Sequence, residues 1–215
     1  ARPASGPVGD FHFVEVDDPA RAGDMILRLC AERIPQRFGL DPLRDVQVLS
    51  PIYRGEAGVD RLNERLREAL NPARAPEWAT APFRPGDKVM QLRNAYDRDV
   101  SNGDVGYVDA VDREARLVHV RFGDKVHPYD EKHLEDLTLA YACSIHKSQG
   151  SEYPAVVIAL LTQHFVMLNR NLLYTALTRG KRLVVVVGGR AALERAVRTT
   201  PAAGRWSGLA GRIRG

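Results

Sequence analysis

Two stretches of strand–helix alternation, separated by a segment with no helical period, constrain this chain most. Phe11 to Val16 reads as a strand, and Asp18-Pro19 as a helix cap with proline at the first helical position. Ile26, Leu27, Cys30 and Ile34 then form an apolar stripe that ends near Gly39. A strand follows at Val46 to Leu49, and Val59, Leu62, Leu66 and Leu70 mark a helix closed by Asn71-Pro72. From Pro85 to Leu137 the period changes. Short strands at Val89 to Leu92, Gly106 to Val111, Leu117 to Phe122 and Val126 to Tyr129 are punctuated by Pro85-Gly86-Asp87, Asn102-Gly103-Asp104 and Gly123-Asp124. Alternation then resumes with strand Leu139 to Ala142, a turn led by Ser144, strand Ala155 to Leu161, helix Asn169 to Thr178, strand Leu183 to Gly188 and helix Ala191 to Val197. This order predicts an α/β domain built on a parallel sheet, with a small β-barrel inserted between its halves. The expected divisions are residues 1–82 and 137–200 for the α/β domain, with a proline-bearing linker at 73–82. The insert is expected at 83–136, and a disordered tail at 201–215.

Charge narrows the choice of partner. Residues 1–137 hold 20 Lys/Arg against 25 Asp/Glu, whereas residues 138–215 hold 11 against 2, so the last third of the chain suits phosphate. No apolar run approaches the ~20 residues that cross a bilayer, and the first residues lack an export signal. Cys30 and Cys143 form no metal-binding or disulfide pattern. The expectation is a cytoplasmic chain with no membrane partner and no metal site of its own.

Three stretches concentrate chemistry. Ser50-Pro51-Ile52-Tyr53-Arg54-Gly55 opens from a strand end, where parallel sheets place ligands and where Arg54 suits a phosphate. Cys143 to Tyr153 sets three serine hydroxyl groups, His146, Lys147, Gln149, Gly150 and Glu152 between apolar strands. Backbone N–H groups near Ser148 to Gly150, together with Lys147, suit a phosphate, and Glu152 suits a ribose hydroxyl. Asn171 to Lys181 ends a helix in Thr178-Arg179-Gly180, where an arginine either stabilises charge on a transferring phosphoryl group or only complements the helix dipole.

In this order the stretches closely resemble motifs IV, V and VI of superfamily 1 helicases of the RecD-like 5′→3′ branch. The block His146-Lys147-Ser148-Gln149-Gly150-Ser151-Glu152 and the block Leu172-Leu173-Tyr174-Thr175-Ala176-Leu177-Thr178-Arg179 match that family's pattern intact. The middle segment, with Gly86-Asp87-Lys88-Val89-Met90-Gln91, Asn94-Ala95-Tyr96-Asp97 and Val100 to Gly106, resembles the SH3-like barrel carried in the family's second RecA-like domain. The resemblance implies a RecA-like fold with an SH3-like insert. It also implies ATP with Mg²⁺ bound between two RecA-like domains, the other lying N-terminal in the same polypeptide, and single-stranded DNA as partner. By the same resemblance, Arg54 and Arg179 contact the γ-phosphate, Arg179 as arginine finger, while Glu152 binds the ribose and Gly150 approaches the nucleotide. His146, Lys147 and Ser148 face DNA, joined by Asn94, Tyr96 and Asn102 of the barrel.

No G-x-x-x-x-G-K-[ST] loop and no paired acidic metal site occur in the sequence. The expectation is a C-terminal motor half that hydrolyses no ATP alone. Two other readings stand beside it: the motor segment of a conjugative relaxase or a recombination nuclease subunit, and a free-standing DNA-binding or interaction module.

Overall fold

A computed structural model describes residues 11–74 and 81–200. The expected tail at 201–215 and most of the linker at 73–82 lie outside the described residues. Strand β1 (Phe11–Glu15) leads to α1 (Pro19–Arg28), whose first turn is capped by Asp18 accepting from the Arg21 N–H at 2.8 Å. The helix continues through one π-helical turn at Leu29–Arg33 into α2 (Ile34–Phe38). Ile26, Cys30 and Ile34 keep one buried face throughout. Then come β2 (Val46–Ser50) and α3 (Val59–Leu70), which buries Leu62 and Leu66. The later α/β elements are β8 (Ala142–Ser144), β9 (Tyr153–Leu160), α4 (Arg170–Leu177), β10 (Gly180–Gly188) and α5 (Arg190–Arg198).

The five strands of this layer form a parallel sheet in the order β1-β10-β9-β2-β8. β9 and β10 sit inside the sheet and read as near-continuous apolar runs because helices cover both faces. On one face Val157, Ala159 and Val185 pack against Ala22, Ile26, Leu62 and Leu66. On the other, Val156, Ile158 and Val186 pack against Leu172, Leu173, Ala176 and Ala192.

The middle segment supplies β3 (Lys88–Gln91), β4 (Val105–Asp112), β5 (Leu117–Phe122), β6 (Lys125–Tyr129) and β7 (Leu137–Leu139). They form an antiparallel sheet in the order β6-β5-β4-β3-β7 around its own core of Val89, Val108, Val118, Val120, Tyr129 and Leu137. The strand expected over Leu139 to Ala142 is divided. Leu137–Leu139 pairs with β3, whereas Ala142–Ser144 pairs with β2, and Ala140 and Tyr141 carry the chain from one sheet to the other. Nothing in that apolar run punctuates it; the break is set by a change of hydrogen-bonding neighbour.

Buried polar contacts fasten the two sheets. The Asp87 carboxylate, fully buried at the start of β3, accepts from Arg67 of α3 at 2.7 Å, Asn71 at 2.9 Å, the Arg84 N–H at 2.9 Å and the Tyr141 hydroxyl at 2.9 Å. Beside it the buried Lys88 ammonium crosses into the parallel layer and donates to the Val46 carbonyl at 3.0 Å.

Candidate functional site

In a parallel sheet all strands end on the same edge, so the register shows which motifs meet. Tyr153 opens β9 opposite Gly180 of β10, and the Tyr153 N–H donates to the Arg179 carbonyl at 2.8 Å. Glu152 and Arg179 are therefore neighbours at the amino edge. The Arg179 guanidinium donates through Nε to the Thr175 carbonyl at 3.1 Å, through Nη1 to the Ser151 carbonyl at 2.9 Å and through Nη2 to the Thr178 hydroxyl at 3.1 Å. Neutral acceptors thus hold it half-buried, with one N–H on each terminal nitrogen unspent. Glu152 is exposed and pairs with Lys181 at 3.0 Å. Gly150 adopts φ +88°, a left-handed turn favouring glycine, with open space where a side chain would stand. A ligand can approach the backbone closely at that point.

The carboxyl edge holds the other motif residues. Ser50 ends β2 opposite Ser144 of β8, and its buried hydroxyl donates to the Ala57 carbonyl at 2.8 Å, closing the loop that displays Tyr53 and Arg54. The Tyr53 hydroxyl donates to Ser144 Oγ at 3.3 Å, tying this loop to the one that starts at Ser144. Arg54 is exposed, with no hydrogen bond or ion pair among the described residues. His146 is exposed, and Lys147 is half-buried with no ion pair among the described residues.

The antiparallel sheet reaches the same edge. A methyl group built on Gly103 would stand 3.9 Å from the Lys147 carbonyl oxygen. Next to Gly103, the Asn102 N–H donates to Asn94 Oδ1 at 2.8 Å, while Asn94 Nδ2 donates to the Tyr96 hydroxyl at 3.2 Å. Asn94, Tyr96 and Asn102 thus form one cluster, with Tyr96 88% exposed.

Two placements bear on the expected site residues. Arg54 and Arg179 stand at opposite edges of the parallel sheet. Leu49 of β2 pairs with Ile158 well along β9, and Arg54 lies beyond it, whereas Arg179 lies before Tyr153. At about 3.3 Å per residue the two edges are roughly 20 Å apart. Ser148 does not face outward: it is fully buried, and its hydroxyl donates to the Ile145 carbonyl at 2.7 Å as a turn former. Sequence reasoning missed the Tyr53–Ser144 contact and the Asp87–Lys88 fastening. Asp87 reads as a turn residue in Pro-Gly-Asp; only the unusual Asp-Lys pair opening an apolar strand hinted at a buried role.

Comparison with known proteins identifies the family. A model described as the ATP-dependent RecD-like DNA helicase SH3 domain matches residues 62–122, and a UvrD-like helicase C-terminal domain model matches residues 139–187. The chain is 39% identical over 137 residues to an ATP-dependent RecD2 DNA helicase of Deinococcus radiodurans, covering 63% of this chain and 19% of that protein. It is 36% identical over 182 residues to the RecBCD enzyme subunit RecD of Mycolicibacterium smegmatis, covering 82% of this chain and 32% of that protein. The chain belongs to the RecD-like helicases. It spans between a fifth and a third of the length of these RecD relatives. A Bacteroides Pif1 helicase solved with ADP-AlF3 and single-stranded DNA shares the fold, with a TM-score of 0.52 at 20% identity over 88% of this chain and 48% of that one. The RecD-like fold here comprises the RecA-like parallel sheet and the SH3-like insert. Among the described residues no helix is long and apolar enough to cross a membrane.

Proposed function

We propose that this chain is the second RecA-like half of a RecD-like motor that couples ATP hydrolysis to 5′→3′ movement along single-stranded DNA and to duplex unwinding. One observation carries the reading. The segment from His146 to Glu152 runs from the carboxyl edge, which also carries Arg54 and the Asn94–Tyr96–Asn102 cluster, to the amino edge, where Ser151 accepts from Arg179. A single short loop thus connects a basic, aromatic surface to an arginine poised for phosphate.

Glu152 and Gly150 suit the nucleoside end of ATP, and Arg179 suits its γ-phosphate. ATP bound there supplies the free energy of phosphoryl transfer to water. Arg179 exchanges neutral carbonyl acceptors for charged oxygens, a stronger hydrogen bond by roughly twofold. Loss of its bond to Ser151 frees the loop that carries His146 and Lys147. No Mg²⁺ site fits this edge: Glu152 is a lone carboxylate engaged with Lys181, and among the described residues no three His, Cys, Asp or Glu side chains gather. We assign the metal and the phosphate loop to an N-terminal RecA-like domain of the same polypeptide, so this chain alone is inactive. Arg54 joins His146, Lys147, Asn94, Tyr96 and Asn102 on the DNA side, with Tyr53 beside them. The free, buried thiols of Cys30 and Cys143 suit a reducing cytoplasm. Similarity to a RecBCD subunit favours a role in DNA repair and recombination, alone or inside a nuclease assembly.

The test separates the two arginines in a polypeptide that includes the ATP-binding domain. Arg179→Ala should lower DNA-stimulated hydrolysis by roughly 10³-fold or more while ATP still binds. Arg54→Ala should keep hydrolysis at saturating DNA, weaken DNA binding and reduce its salt slope by about one contact. Equal loss of hydrolysis in both variants at saturating DNA would return Arg54 to the γ-phosphate and refute the two-edge reading.

A further inference from the structure

Beside the DNA-facing loop lies a cavity of about 520 Å³, between that loop and the start of α4. His146, Gln149, Asn171 and Thr175 line it, and among the described residues none of these four side chains has a hydrogen-bond partner. Asn169, also in the wall, is already engaged: its Oδ1 accepts from the Leu172 N–H at 2.9 Å, and its Nδ2 donates to the Met167 carbonyl at 3.2 Å. Met167 and Leu172 supply apolar surface, and Val166 stands 92% exposed at the lip.

Among the described residues the lining contains no Lys, Arg, Asp or Glu. A phosphate would find no cation there, and a metal or amine no carboxylate. What converges is an imidazole, two carboxamides and a hydroxyl around an apolar wall, a set offering both donors and acceptors. That combination matches one class of ligand next to a nucleic-acid track: a flat, apolar face rimmed by alternating donors and acceptors. We propose that the cavity receives one unstacked base of the single strand whose backbone passes His146 and Lys147. This rests on the DNA reading above and adds to it a dedicated base subsite. Asn171 and Thr175 are one helical turn apart on α4, and the Thr175 carbonyl accepts from Arg179 Nε at 3.1 Å. The helix that lines the base site therefore also holds the arginine of the other edge.

The experiment measures binding of the whole chain at low salt to three strands of equal length: fully abasic, abasic with a single central thymine, and all thymine. A dedicated subsite predicts that one thymine tightens binding about tenfold and that the remaining thymines together add less than the first, in line with single-base stacking effects. Affinity rising evenly with thymine number, or equal binding of all three strands, overturns the proposal and leaves backbone binding standing. No binding of any strand sinks the DNA reading itself. A second measurement needs no variant: a single 4-thiothymine in the abasic strand should photocrosslink to His146 or Met167. Crosslinks confined to Tyr53 or Tyr96 would place the base elsewhere and overturn the assignment. In Asn171→Leu/Thr175→Val, shown folded by circular dichroism, the gain from the single thymine should vanish; if it persists, the cavity is not the base site.

Discussion

Replacing Lys88 by methionine should make the protein more stable at neutral pH, and by an amount that depends on pH. The ammonium is buried between the two sheets and donates to Val46 O, with the Tyr153 ring 5.8 Å away. Burial lowers its pKa from the ordinary 10.5 to about 8; the opposing influences are Cys143, Cys30, Asp41 and Asp45. In the unfolded chain the lysine holds its proton up to its ordinary value. The charged form is therefore disfavoured by folding, a cost of about 3 kcal/mol that is complete below pH 8 and fades as pH rises toward 10.5. Methionine is of similar shape and carries no such cost, but it leaves the Val46 carbonyl without this donor, a loss of about 1 kcal/mol. The net expectation at pH 7 is a gain of about 2 kcal/mol. By pH 9.5 the advantage should shrink by about 2 kcal/mol, to near zero. Burial holds the Cys30 and Cys143 thiols up at about 12, so wild type and variant both lose stability above pH 9. The informative quantity is thus the difference between them, read from urea unfolding at pH 7.0 and 9.5. A variant less stable than wild type by the same amount at both values would refute the argument, because the lysine would then act through packing and its hydrogen bond rather than through a strained charge.

The neighbouring carboxylate should behave in the opposite way. Asp87→Asn leaves Arg67 and Arg84 without their shared buried counter-charge, although Glu68 still meets Arg84 at 2.7 Å; urea unfolding should show a loss of about 3–5 kcal/mol. A loss below about 1 kcal/mol would mean that the network is dispensable. Gly188→Ala would put a methyl group 1.9 Å from the Leu160 carbonyl oxygen, at a point where β10 and β9 are paired. The backbone must shift, and thermal unfolding should show a destabilisation of about 3 kcal/mol or more; an unchanged midpoint would show that the strand end relaxes freely.

Much of this architecture was legible from residue order. Proline after Asp18, the Ile26–Cys30–Ile34 face and the Leu62–Leu66 face each satisfy a local rule, so α1 and α3 form where the pattern places them. The apolar runs at 155–160 and 183–187 required burial on both sides, which only a covered parallel sheet supplies. The chemical blocks were equally visible, because clusters such as His146 to Glu152 are dense in groups that a core excludes. Local pattern could not say which blocks share an edge. Arg54 and Arg179 look alike as arginines beside turns, yet strand register separates them by most of the length of β9, and register is a property of pairing between distant segments. The split of the 137–144 run between two sheets, the inward turn of Ser148, and the convergence of Gln149, Asn171 and Thr175 on one cavity arise in the same way. Periodicity and capping act over a few residues, so the sequence alone determined the elements and the chemistry each one carries. Which edge that chemistry faces, and what it faces together with, depended on contacts between residues tens of positions apart, which only the folded sheets create.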